Sequence, residues 1–341
     1  MDHINLFQTN AEFNAAYNGS SYVEPWVSFT METSGLSFNK GQTPTHDYSQ
    51  DYLTFEVISG GTISSLVDGV LLSKDNGENW DTEITDLTSG DKVIAKGNVH
   101  TFGDETAASF DFGDALVNVC GNIMSIYDSQ NFRTITALNE GDRLALLFYD
   151  CAGLISAENL ILPATTLADN CYARMFSNCI SLTTAPVLPA TTLAGGCYFG
   201  MFANCTSLTT APELPVTTLA KSCYSNMFEG CTSLTKTPEL PTTTLAQSCY
   251  YCMFSNCTSL TTAPELPATT LASYCYQTMF YGCTSLNYIK CLATDISASN
   301  CTSSWVSGVS STGTFVKNPN MAGWTTGNNG IPANWTVQDA S

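Results

Sequence analysis

One twelve-residue pattern, C-Y-x-x-M-F-x-[N/G]-C-[T/I]-S-L, occurs five times in this chain. It starts at Cys171, Cys197, Cys223, Cys249 and Cys275, at one constant step and with no insertion. A second pattern, L-P-x-T-T-L-A, recurs at the same step from Leu162, Leu188, Leu214, Leu240 and Leu266. Phase held at so many positions means that each repeat is one structural unit. Such a unit is too small to bury its own apolar face and must stack on its neighbours.

The spacing inside the repeat predicts a short helix. Cys171, Tyr172, Met175, Phe176 and Cys179 lie at i, i+1, i+4, i+5 and i+8, one face of a helical turn. Asp169 or Asn170 is placed to cap its start. Ser181–Ala185 reads as a short strand limited by Pro186, Leu188-Pro189 as a corner, and Thr191–Ala194 as a second extended piece. Stacking then predicts two buried ladders. One is Leu182, Leu208, Leu234, Leu260 and Leu286; the other is Phe176, Phe202, Phe228, Phe254 and Phe280.

Ten of the fifteen cysteines fall on two further ladders, those of Cys171 and Cys179 with their equivalents in each following repeat. A small apolar thiol suits a tight interior corner. Like residues of stacked coils sit about 4.8 Å apart, yet side chains pointing in parallel disfavour disulfide geometry. Zinc needs paired C-x-x-C or C-x-x-H groups, and only Cys249/Cys252 comes near, without a second pair. Buried free thiols are therefore expected. The methionines Met175, Met201, Met227, Met253 and Met279, beside Phe at helical spacing, read as core rather than as an exposed sticky stripe.

The first half differs. Of the formal charge of −19, residues 1–150 carry −16 (22 acids, 6 bases) and residues 151–341 only −3 (8 acids, 5 bases). This leaves no electrostatic footprint for nucleic acid or an anionic membrane. The acidity either keeps the protein soluble or docks on a basic protein surface. No stretch approaches the ~18 apolar residues of a membrane span, and the start has no basic or apolar region of a signal peptide. Synthesis and retention in a cytoplasm are expected, unless the chain leaves inside a larger particle.

Residues 1–45 read as an arm. Thr9 and Glu12 suggest a capping box for a helix over 10–17, ended by Gly19, and Tyr22–Phe29 reads as extended. The arm carries Phe7, Phe13, Tyr17, Tyr22, Trp26 and Phe29 with little core-forming periodicity. Such aromatics need a surface to bury them, either the chain's own next domain or a partner subunit. Residues 46–140 read as all-β, with runs at 52–58, 62–67, 70–73, 91–96, 109–112 and 115–119, and a hairpin-turn signal at Lys74–Gly77. Asp75, Asn76, Glu78, Asn79 and Asp81 could suggest a calcium loop, but their Gly is misplaced for one and a plain hairpin is favoured.

No catalytic, metal or cofactor site is expected. His3, His46 and His100 sit in no recognisable triad, and no P-loop or Rossmann glycine pattern is present. A chance carboxylate pair among the acids of the β region stays open as a glycosidase-like alternative.

The repeat resembles the BspA-type leucine-rich repeats of surface proteins of gut bacteria and their phages, over about Asp142 to the C-terminus. Phe148–Leu154 looks like a degenerate first repeat, with a two-residue excess before Leu162-Pro163 that suits a cap. The segment IKCLATDISASNCTSSW…GTFVKNPNMAGWTTGNNGIPANWTV resembles a closing module, and FQTNAEFNAAYNGSSYVEPWVSFT is similar to openings of proteins from crAss-like phages of Bacteroidales. The expected fold class is mixed β/α. It comprises an N-terminal attachment arm (1–45), a β-sandwich domain (46–140), a leucine-rich-repeat-like solenoid of 26-residue period (141–290) and a C-terminal cap (291–341). The resemblance implies a non-enzymatic virion protein, a head fibre or capsid decoration subunit, forming homotrimers. Particle attachment is expected through Phe7, Phe13, Tyr17, Tyr22 and Trp26, and the repeats are expected to adhere to a host-surface protein or glycan. A tail-fibre receptor-binding protein and a BspA-like bacterial adhesin are the alternatives. The partners expected are capsid or tail proteins, with no nucleic acid and no membrane insertion.

Overall fold

The computed structural model describes residues 28–32, 35–39, 51–99, 109–214 and 218–341. The chain divides into two compact units, Met1–Asp47 and Tyr48–Ser341. In the first, β1 (Ser28–Glu32) and β2 (Gly35–Asn39) pair as an antiparallel hairpin, Ser28 opposite Asn39. The helix expected over 10–17 and the attachment aromatics Phe7, Phe13, Tyr17, Tyr22 and Trp26 lie outside the described residues.

The second unit begins with two sheets. The larger has the order β10-β9-β3-β7-β5, and the smaller is β6-β4-β8. In the larger, β3 (Leu53–Ser59) is central between β7 (Lys92–Gly97) and β9 (Leu116–Asn122), with β5 (Val70–Ser73) at one edge. Alternation explains the burial. Leu53, Phe55 and Val57 of β3 point inward with Val93, Ala95, Val117 and Val119, while outward Glu56 pairs with Lys92 at 2.7 Å. The smaller sheet, β4 (Ile63–Ser65), β6 (Glu83–Ile84) and β8 (Phe110–Asp111), adds Ile63 and Phe110 to the core. The Phe110 ring meets Phe55 edge-on at 5.0 Å. The loop after β5 is a hairpin held by Asp75, whose carboxylate accepts from Ser73 Oγ (2.6 Å), Asn79 N (2.9 Å) and Asn79 Nδ2 (2.6 Å). These donors, the Asn79 amide foremost, lower its pKa to about 2.

The last strand of the larger sheet, β10 (Leu154–Ile161), comes from the repeat region and pairs parallel with β9. Sheets and repeats thus share one hydrophobic core. The Phe148 ring lies 5.9 Å from Phe110 and 5.2 Å from Phe176.

The repeats require a correction. The mixed β/α class, with a helix in each unit of a leucine-rich-repeat-like solenoid, is overturned. Among the described residues there is no α-helix, only two short 3-10 turns at Ile123–Ile126 and Phe132–Thr134, and the unit is otherwise strand and loop. Where helices were expected, the chain runs as consecutive four-residue turns. Every fourth residue is left-handed: Asn170, Arg174 and Asn178 have φ of 54°, 53° and 65°. A left-handed residue breaks the i→i−4 ladder of an α-helix. The amides divide instead. Ala173 N donates to Asn170 O (2.9 Å) and Ser177 N to Arg174 O (3.1 Å), closing the turns, whereas Tyr172 N, Arg174 N and Phe176 N donate across to Cys197 O, Phe199 O and Met201 O of the next repeat (3.0, 2.7 and 2.9 Å). Backbone satisfaction therefore comes from stacking, and a single repeat would leave half these donors without a partner. The strands expected at 181–185 and 191–194 shrink to single bridges, such as Ser156 with Thr184 and Thr166 with Thr192.

The same left-handed triplet stands one layer before the first repeat, at Asp142, Leu146 and Asp150, and one layer after the fifth, at Asn300, Ser304 and Gly308. Turn layers thus extend one beyond the five repeats at each end. The last is closed by a parallel three-stranded sheet of β11 (Tyr288–Cys291), β12 (Thr314–Lys317) and β13 (Thr336–Asp339). Trp305, in the last layer, occupies the place of a repeat methionine. Its indole stacks on Tyr276 at 6.2 Å and on Trp324 at 5.5 Å, and donates to Gly330 O at 2.8 Å.

Inside the stack, like residues form columns. Phe176, Phe202, Phe228, Phe254 and Phe280 are fully buried, with successive centroids 5.5, 5.7, 5.7 and 5.9 Å apart. Leu182, Leu208, Leu234, Leu260, Leu286 and the five repeat methionines are equally buried. A parallel tyrosine column, Tyr172 to Tyr276, has spacings of 5.8 to 6.3 Å. The hydroxyls of Tyr172 and Tyr198 find no hydrogen-bond partner among the described residues. Each costs on the order of 1–3 kcal/mol, which ring burial offsets.

All fifteen cysteines are free thiols, fourteen buried and Cys252 half-buried. The second ladder has a polar task as well as packing. Cys205, Cys231 and Cys257 each donate S–H at 3.1 Å to the carbonyl of Phe176, Phe202 and Phe228 in the preceding layer. Burial pushes the thiols of Cys223, Cys231 and Cys283 up to about 12 from an ordinary value of 9.0. Above pH 9 the unfolded chain loses these protons while the folded chain keeps them. Stability is therefore full below the unfolded value and falls as pH rises through the folded one. The expected result is a denaturation midpoint that declines steadily from pH 9 to pH 12 while native thiolate absorbance stays low. Thiolate absorbance that rises near pH 9 in folded protein contradicts this burial.

Candidate binding face

The repeats differ most in their turn segments. Compared layer by layer, three columns of the turn segment differ: Ala173, Phe199, Ser225, Tyr251 and Gln277 form one, in which Ser225 is buried, and Arg174, Gly200, Asn226, Cys252 and Thr278 the next, in which Gly200 is buried. Ser177, Ala203, Glu229, Ser255 and Tyr281 make a third, with both serines buried and Ala203, Glu229 and Tyr281 reaching the surface. Exposure alone does not account for this. Thr183, Thr184, Thr209, Thr210, Thr261 and Thr262 on another side are exposed yet nearly constant over the first four repeats, Lys236 being the exception there, and give way to Asn287 and Tyr288 in the fifth. Those threonines have a local reason to stay. Thr183 Oγ1 donates to Ile155 O (2.9 Å) and Thr235 Oγ1 to Thr209 O (3.3 Å), tying each layer to the one before.

The varied face also carries accessible aromatics that the core does not use: Tyr149, Phe199, Tyr251, Tyr274 and Tyr281, the last 46 % exposed. Beside Tyr149 and Phe199 lies a groove of about 280 Å³. Its floor is low because Gly200 and Ala203 bring almost no side chain. Gly200 is left-handed (φ 57°), and a Cβ there would stand 3.2 Å from Arg174 Cγ. At one end stand Tyr149 and Arg174, whose guanidinium lies 5.4 Å from the Phe199 ring centre. At the other end are Asn226 and Glu229, tied by Asn226 Nδ2 donating to Glu229 Oε2 at 2.5 Å. Asn204 Nδ2 donates to Asn178 Oδ1 at 2.9 Å, so amides run along the groove from one layer to the next. Arg174 is the lone arginine after residue 143 in the sequence, which gives this patch a positive centre in a strongly acidic chain.

A second depression is lined by Lys74, Asp75, Trp80 and Asp86 of the loop after β5 and its neighbours. The Trp80 ring is covered by Lys96 Nζ at 3.7 Å and donates through Nε1 to Gly77 O. The carboxylates with displaced pKa, Asp75, Asp91 and Asp295, are each lowered by hydrogen bonds to neighbouring loop residues. The three histidines, His3, His46 and His100, lie outside the described residues.

Sequence reasoning identified the buried ladders and left the groove unseen. The signal available was the contrast between unvarying and varying columns, which acquires meaning only once the turn geometry shows which columns face outward. No helix among the described residues is long and apolar enough to cross a membrane. Comparisons with protein-family models, with curated proteins and with solved structures gave no match.

Proposed function

We propose that the chain is a non-enzymatic structural protein of a phage particle, a head fibre or capsid decoration subunit, whose stacked repeats display an adhesive face toward the host surface. The observation that carries the adhesive part is the division of labour within the repeat. Buried columns are held constant layer after layer, while one outward face varies and gathers aromatic, amide and charged groups. A rigid stack with a diversified face suits recognition. Carboxylates lowered by their own loops suit structure better than proton transfer, for which a general acid is raised toward neutrality. The virion assignment rests on the resemblance of the opening and closing segments. Attachment through Phe7, Phe13, Tyr17, Tyr22 and Trp26, trimer formation and the choice of head over tail belong to that reading.

The test is immunogold labelling of purified particles with an antibody against the repeats. Label at regular positions on the capsid is the expected result. Label confined to the tail replaces the head fibre by a tail fibre, and label on bacterial envelopes in uninfected cultures replaces both by a bacterial adhesin.

A further inference from the structure

The groove has a specific chemistry, and its occupant follows from it. It crosses four turn layers, from Tyr149 to Glu229. At the ~4.8 Å spacing of hydrogen-bonded chains this is about 14 Å of length, an extended ligand rather than a single ion. Tyr149 and Phe199 offer ring faces that suit the apolar C–H face of a sugar. The carboxamides of Asn204 and Asn226 offer donors and acceptors in the pairing that hydroxyl groups need. Arg174 adds a planar fork matched to a carboxylate, at the Tyr149 end. Glu229, two layers further on, repels a second negative charge and leaves the far end for neutral hydroxyls. The formal charge of −19 disfavours a polyanion at long range, so one acidic group on an otherwise neutral chain fits best.

We propose that this groove binds an oligosaccharide ending in a carboxylate-bearing sugar, the acid paired with Arg174 and the following residues running over Gly200 and Ala203 toward Asn226 and Glu229. This rests on the adhesive reading above and names its ligand class. It does not depend on which particle carries the protein.

The experiment is calorimetric titration of the full chain with two sets of oligosaccharides, one ending in sialic or uronic acid and one of their neutral counterparts. The variants are Arg174→Gln and Ala203→Trp. Ala203 has no left-handed backbone demand, so a large side chain there fills the groove from a half-buried position. At least one acidic oligosaccharide is expected to bind saturably, about tenfold or more tighter than its neutral counterpart, as the loss of one charge-assisted bidentate pair requires. Arg174→Gln abolishes that preference, and Ala203→Trp abolishes binding. Melting temperatures confirm folding. If Ala203→Trp does not fold, Arg174→Gln alone decides through the lost preference. Absence of saturable binding by any of the panel, or binding that Arg174→Gln leaves unchanged, overturns the proposal. The adhesive reading is tested separately by retention of wild-type protein on host cells. Cell binding that persists in Arg174→Gln and Ala203→Trp sinks the groove and keeps the adhesion; loss in the wild type sinks the adhesion.

Discussion

Replacing Phe228 by Ala is expected to destabilise the protein by about 3–5 kcal/mol, the usual cost of removing a fully buried ring. Phe228 stands at the middle of its column, 5.7 Å from Phe202 on one side and 5.7 Å from Phe254 on the other. Its backbone is equally engaged: Phe228 N donates to Met253 O at 2.9 Å, and its carbonyl accepts the Cys257 thiol at 3.1 Å. The alanine keeps the backbone bonds and opens a cavity between layers, so the loss spreads to both neighbours. In native-state hydrogen exchange, protection at Phe202 and Phe254 should fall along with that at Phe228. A change below about 1 kcal/mol in a denaturant melt, or an effect confined to one layer, is incompatible with a shared column.

Trp305→Ala is expected to cost a similar amount, about 3–5 kcal/mol, with a different distribution. The indole is fully buried between the Tyr276 ring and Trp324, and its Nε1 satisfies Gly330 O. The substitution opens the end of the aromatic column and leaves that carbonyl without its donor, which adds on the order of 1–3 kcal/mol if water does not reach it. Stability in a stack of repeats is passed between neighbours, and the end layers have only one repeat to lean on. Amides of Tyr276, Thr278 and Phe280, which donate into the last layer, should therefore exchange first, well before those of Phe176. Uniform exchange along all layers would falsify the view of Trp305 as an end plug.

Read without coordinates, the sequence determined the period, the columns and the burial of their residues. A constant step held at many positions leaves no other way to hide Phe, Leu, Met, Tyr and Cys than against their own equivalents. It also indicated β3, β4, β5, β7, β8 and β9 of the first half, while β2 (Gly35–Asn39) and β6 (Glu83–Ile84) carried no run that marked them. What it did not determine was the local conformation of the repeat. The buried pairs Cys171-Tyr172 and Met175-Phe176 recur at i and i+4, and over so short a segment that spacing fits an α-helix and a chain of four-residue turns equally well. The deciding positions are Asn170, Arg174 and Asn178. Asn and Gly at equivalent sites, as in Gly196, Gly200 and Asn204, hint at left-handed backbone, but Arg174, Cys252 and Tyr274 adopt it too, against a cost of about 1–2 kcal/mol each. Only the tertiary structure settles that contest, because the compensating bonds run from one layer to the next and exist only when the layers are stacked. The groove has the same origin. Tyr149, Arg174, Phe199 and Glu229 belong to four successive layers and are remote from one another along the chain. They share a surface because stacking converts distance along the chain into adjacent layers.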